Sequence, residues 1–172
     1  MKKFFMKVIS VILFILLLAG CGSSAGGGSG GGANVEGGVE ELLQRIYDGL
    51  GADIQLPFLM NIPLSEDMGV DVDGIRISYY LGTTGIPFSE GVASEAAIGG
   101  AYSVCLLRMN AGADIEKAKK DIADNVDSAK WICYIADKVI VDNRGDLVIL
   151  IMTNDETSPG VADAIHESFL KL

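Results

Sequence analysis

Three cysteines, one histidine and a knot of carboxylates are the side chains in this 172-residue chain with the most chemistry to offer. Cys105 and Cys133 sit inside apolar, strand-like segments, where a thiol stays protonated and inert. A nucleophilic thiolate needs a cation or a helix N-terminus beside it. If the chain is exported the two could pair, provided their Cβ atoms come within about 3.8 Å. His166 is the only histidine, so any Ser-His-Asp or Cys-His site would have to use it. It stands off the apolar stripe Val161, Ile165, Phe169 and reads as a solvated surface residue. Gly-x-Ser-x-Gly, His-Glu-x-x-His and Cys-x-x-Cys are all missing. Glu66, Asp67, Asp71 and Asp73 gather around Asp71-Val72-Asp73-Gly74, a spacing like the middle of a calcium loop. That alignment puts Gly69 and Tyr80 at the first and twelfth ligand positions, where neither supplies a carboxylate, so an acidic solvated loop is the better reading. Arg144-Gly145-Asp146 spells an adhesion tripeptide, yet its residue types are also those of a tight turn. No catalytic residue, metal ligand or cofactor is assigned. The residues left as candidates for a ligand or partner are aromatic: Tyr79, Tyr102 and Trp131, which could line a groove or simply pack a core.

Cys21 carries the most specific signal. Lys2, Lys3 and Lys7 precede an apolar run from Val8 to Leu18 that is too short, against the roughly 18 to 20 residues needed, to span a bilayer. The run ends in Leu18-Ala19-Gly20-Cys21, which resembles the bacterial lipobox, where the thiol receives diacylglycerol before cleavage. The expected organisation is a cleaved signal peptide at 1–20, a lipidated Cys21 with a Gly/Ser tether at 21–34, and an extracytoplasmic domain at 35–172. Gly22 to Gly32 offers nothing to bury and would hold the domain on the order of 20 Å from the membrane. Loss of the three lysines takes 13 cationic residues to 10 against 23 acids, a mature net charge of −13. Such a chain repels phosphate backbones and anionic headgroups, so nucleic acid is excluded as a partner and lipid on Cys21 must supply membrane attachment.

The elements that would position any site follow from periodicity. Val39, Leu42, Leu43, Ile46 and Leu50 mark an amphipathic helix ending before Gly51. Ala52 to Gly74 reads as a loop with at most a short helical turn, Ile75 to Leu81 as a strand, and Ser89 to Ala97 as a short helix. Ala101 to Met109 is a nearly continuous apolar run, a strand covered on both faces. Asp114 opens a helix carrying Ile115, Ala118, Ile122 and Val126. Trp131 to Val141 and Leu147 to Thr153 read as a strand pair about a turn of three to five residues at Gly145. Ser158-Pro159 supplies an N-cap and first-turn proline for a last helix. The sum is an α+β fold: one two-layer domain with a mostly antiparallel sheet of about four strands covered by helices.

The stretches Ala101-Tyr102-Ser103-Val104, Gly112 to Glu116, Lys130-Trp131-Ile132-Cys133 and Val139 to Leu147 resemble the bacterial lipoprotein family called domain of unknown function 4358. The resemblance covers roughly Val35 to Leu172 and is most specific from Asp114 to Met152. It implies an exported, lipid-anchored domain with no assigned reaction, encoded near envelope O-acyltransferase machinery. The expected function is therefore a non-catalytic binding or accessory domain for an envelope protein or glycan. A small-ligand or cation-binding lipoprotein is the alternative, followed by an envelope hydrolase or acyl-transfer accessory.

Overall fold

An apolar strand with no solvent-facing position is satisfied only in the interior of a sheet covered on both sides. The structure, a computed structural model, describes residues 34–65 and 77–172 and gives that place to Tyr102–Met109 (β3). Cys21, the glycine-rich stretch, and Glu66, Asp67, Asp71 and Asp73 lie outside the described residues. On one side of β3 lies Phe88–Ala96 (β2), itself flanked by Leu59–Leu64 (β1); on the other lies Leu147–Thr153 (β5), flanked by Lys138–Arg144 (β4). The five strands run in the order β1-β2-β3-β5-β4, and every neighbouring pair is antiparallel. The fold is α+β, with five strands where about four were expected.

Alternation along β3 and β5 feeds two separate cores. Tyr102, Val104 and Leu106, with Ile149 and Ile151, pack under Val39–Asp48 (α1) and Val161–Leu170 (α4). Cys105 and Leu107, with Val148, Leu150 and Met152, pack under Ile77–Leu81 (α2) and Ile115–Asn125 (α3). Helices on both faces add a third layer to the two expected. Among the described residues no helix is long and apolar enough to cross a membrane.

Four segments differ from expectation, each because a tertiary contact outweighed local pattern. Phe88–Ala96, expected to hold a short helix, is a strand: its alanines and glutamates suit a helix in isolation, but pairing with β1 and β3 satisfies its backbone on both edges. Leu59–Leu64 was hidden by Pro63, which is tolerated because β1 is an edge strand with no outer neighbour among the described residues. The expected strand ending at Leu81 is the helix α2 over its described part; Ile77, Tyr80 and Leu81 are buried at i, i+3, i+4 spacing. The strand expected from Trp131 starts only at Lys138. Before it, a bridge between Trp131 and Tyr134 and a bond from Ala136 N–H to Ser128 C=O (2.8 Å) fold the chain back on itself.

The remaining elements form as their residues require. Asp114 caps α3 by accepting the Lys117 N–H at 3.0 Å. Arg144 pairs directly with Leu147, so the hairpin loop is two residues, shorter than expected, with Gly145 at φ +57°. Positive φ at the first turn residue alone is the pattern of a type II′ turn. The last helix starts two residues later than Ser158-Pro159 suggested, on Gly160 at φ +70°. Between α2 and α3, Gly82 sits at φ +74°, and an added Cβ would lie 2.3 Å from the backbone of Asn125 and Val126. Gly82→Ala therefore meets both a strained backbone and a collision that no rotamer relieves. It is expected to cost more than about 1 kcal/mol, measured as a lowered denaturant midpoint at unchanged slope.

Candidate functional site

The two ends of the sheet are chemically unlike. At the end carrying the Gly145 turn, Arg108 interrupts the apolar run of β3 and works as a clamp. Its Nη1 meets Asp146 Oδ2 at 2.6 Å, while Nη2 donates to the carbonyls of Val35 (3.0 Å) and Gly37 (2.6 Å). Arg144 donates from Nη1 to the Leu170 carbonyl at 2.7 Å. Both charged members of Arg144-Gly145-Asp146 are thus spent on internal contacts, and the first described residues are bound at this end.

At the opposite end, where the chain turns between β2 and β3, lies a buried ion pair. Lys130 Nζ lies 2.7 Å from Glu95 Oε1, with side chains only 3% and 8% exposed. Ser103 Oγ donates to the same Glu95 oxygen at 2.6 Å and lies 3.1 Å from Lys130 Nζ. Register explains the meeting, since Glu95 and Ser103 stand directly opposite on β2 and β3 and so share a face. The ammonium is collared by aromatics, 4.5 Å from the Tyr79 ring centroid, 4.9 Å from Trp131 and 5.5 Å from Tyr80. A desolvated cation over such rings gains roughly 2 kcal/mol, which offsets part of the cost of its burial. Burial, reinforced by the Glu95 charge, raises the Tyr79 phenol above its ordinary value. A serine beside a lysine can serve acyl transfer, but Ser103 is fully buried and its proton is committed to Glu95. Here the pair is a positioning device that ties the Trp131–Tyr134 turn to the centre of the sheet.

Tyr79 and Trp131 therefore come together as expected of groove residues, but around Lys130. Tyr102 does not join them. It points to the other face, where its hydroxyl donates to the Tyr47 hydroxyl at 3.1 Å. There Tyr102 forms part of the wall of a cleft of about 320 Å³ bounded by Gly99, Gly100, Tyr134, Thr157 and Ser158. Burial raises both the Tyr102 and the Tyr47 phenols above the ordinary tyrosine value. On the same sheet face, Thr153 Oγ1 is buried with no hydrogen-bond partner among the described residues.

The thiols are separate and free. Cys105 is buried under α2, and burial pushes its pKa up to about 12, the nearby Lys130 countering only in part. Cys133, expected within an apolar strand, is exposed in the turn before β4. His166 is half-buried rather than fully solvated: its Nε2 lies 2.7 Å from Asp142 Oδ2, and Lys119 approaches the other carboxylate oxygen at 3.7 Å. Burial would raise the Asp142 pKa, but the His166 bond, the Asn143 N–H and Lys119 outweigh it and hold the carboxyl below its ordinary value. Cys105 and His166 lie on opposite faces of the sheet, so they form no dyad. Among the described residues no group of three His, Cys, Asp or Glu side chains could hold a metal ion.

Sequence reasoning assigned no role to Glu95 or Ser103, although Ser103 lies in the stretch Ala101-Tyr102-Ser103-Val104, because only strand register opposes them. Lys130 entered only within the stretch Lys130-Trp131-Ile132-Cys133, with no role assigned to its charge. Comparison with known proteins finds no matching family model, no matching curated protein and no matching solved structure.

Two outcomes follow from this geometry. Lys130→Met strands a buried carboxylate and is expected to cost about 3–5 kcal/mol in chemical denaturation, whereas Lys130→Met with Glu95→Leu should regain most of the loss. In alkylation mapped by mass spectrometry, Cys133 is expected to react in the folded state. Cys105 should label only on unfolding, and equal rates for the two would contradict the burial of Cys105.

Proposed function

We propose that this chain is an exported lipoprotein, anchored through lipid on Cys21, whose domain is a non-catalytic binding or accessory module for an envelope component. The observation that carries the reading is the polarity of the domain. Its described N-terminus is clamped by Arg108 at one end of the sheet, while exposed large apolar side chains collect at the other. Ile132 is fully exposed, and Ile98 and Phe58 are 79% and 76% exposed. Phe58 is drawn to the β2–β3 turn by the bond from Ala97 N–H to its carbonyl (2.8 Å), and the loop of Ile132 and Ile135 joins them through Asn154, which donates to the Ile135 carbonyl at 3.0 Å. Apolar side chains gathered at one end of an otherwise strongly acidic domain mark an interaction surface. A tether entering at the far end leaves that surface free to meet a partner. The lipobox and the likeness over Asp114 to Met152 support the same reading.

Two measurements test it in the intact cell. A metabolic palmitate analogue should label the wild-type protein, and Cys21→Ala should lose both label and membrane fractionation. A photoreactive side chain at Ile132 should cross-link a discrete envelope component, while the same group at Lys171 should not. Indiscriminate cross-linking from both positions would sink the binding role while leaving the anchoring intact.

A further inference from the structure

Resting on the reading that this end of the domain binds an envelope component, we infer that the cleft between the β2–β3 turn and Tyr134 is a subsite for one residue of a neutral saccharide. The first argument is charge. No residue bounding the cleft is ionisable to a charged form near neutrality. In a chain of 23 acids, an uncharged site offers no carboxylates to a cation, and with no Lys or Arg it offers nothing to a phosphate or carboxylate.

The second argument is the mixture of groups. Tyr134 presents a partly exposed ring at the rim, a flat surface for the C–H face of a sugar. Inside, hydroxyls and amides replace charge. The Ser158 hydroxyl and the Gln55 amide, on residues that bound the cleft, make no hydrogen bond among the described residues and can meet sugar hydroxyls, while Tyr102 is buried with its proton on Tyr47. A saccharide needs this alternation of donors and acceptors beside an apolar face.

The third argument is shape. About 320 Å³ lies at the small end of ligand sites and suits a single ring with its substituents. Gly99 (φ +33°) and Gly100 (φ +155°) form one wall in backbone that side chains rarely adopt, so the main chain itself lies against the occupant. An extended peptide is the poorer fit. Peptides recognised through the backbone add to a free strand edge, and β2 and β3, whose ends form this cleft, are paired on both sides. The Lys130–Glu95 pair underlies the site from the other face by fixing the turn that carries Tyr134.

The test uses the full-length lipidated protein in detergent micelles and saturation-transfer difference NMR. The probes are trimers of N-acetylglucosamine, glucose and galactose, with a cell-wall stem peptide as the competing class. At least one neutral trimer is expected to bind, the stem peptide not. Tyr134→Ala should weaken the trimer about tenfold and Tyr134→Phe should restore it to within about twofold, because the ring rather than the hydroxyl makes the contact. Thermal melting establishes that each variant is folded. The inference is overturned if none of the trimers binds, if only the peptide binds, or if folded Tyr134→Ala binds the trimer as wild type does. Saccharide failure with discrete cross-linking from Ile132 intact would remove this subsite and keep the broader reading. Indiscriminate cross-linking with saccharide binding intact would do the reverse.

Discussion

β5 has no side chain facing water along its whole length, and β3 has only Arg108 partly exposed. Two adjacent strands of that kind impose helices on both faces of the sheet, because burying only one face would leave half of their apolar side chains in solvent. The rest follows from that requirement. The helices at the two ends of the described sequence, α1 and α4, pack together on one face, where the Ser168 hydroxyl donates to the Ile46 carbonyl at 2.7 Å across a gap kept narrow by Gly49. The other face is left to α2 and α3, joined closely at Gly82.

With both faces closed, polar chemistry is confined to the strand ends and edges. Arg108 occupies one end and holds the start of the domain there. Lys130 and Glu95 occupy the other, and their burial is an expense in desolvation that neither needs for folding as such. What the pair secures is place. A loop whose side chains largely face solvent has little burial to hold it, and a charged root set against one face of β2 and β3 fixes it with short, directional bonds. Asp142 plays a lesser version of this part on the edge strand β4, taking Lys119 from one helical layer and His166 from the other.

Several residues changed meaning once neighbours were known. Tyr79, Tyr102 and Trp131 were equivalent as aromatic residues; the sheet divides them, two around an ammonium and one against a cleft on the reverse face. Cys105 and Cys133 looked alike in apolar surroundings, yet one is sealed beneath a helix and the other exposed. His166 lay off the apolar stripe, as its position implied, but the stripe could not reveal that Asp142 on another element would meet it.

Local sequence determined the elements whose stabilising interactions are themselves local. The helices from Val39 and Asp114, the glycine turn at 145 and the apolar strands β3 and β5 are legible because period, cap and φ requirement all lie within a few residues. The strand character of β2, the edge strand with Pro63 and the turn at Trp131 were decided only by tertiary structure. Their own residues are neutral or contrary; strand pairing supplies the missing free energy for the two strands, and the directional contacts of the buried ion pair fix the turn. The candidate site belongs to this second class. Glu95 is 35 positions from Lys130, and Tyr134 is 34 from Gly100. No spacing rule links residues so far apart: β2–β3 register sets Glu95 beside Ser103, and the fold-back of the chain before β4 brings Lys130 and Tyr134 to that end of the sheet.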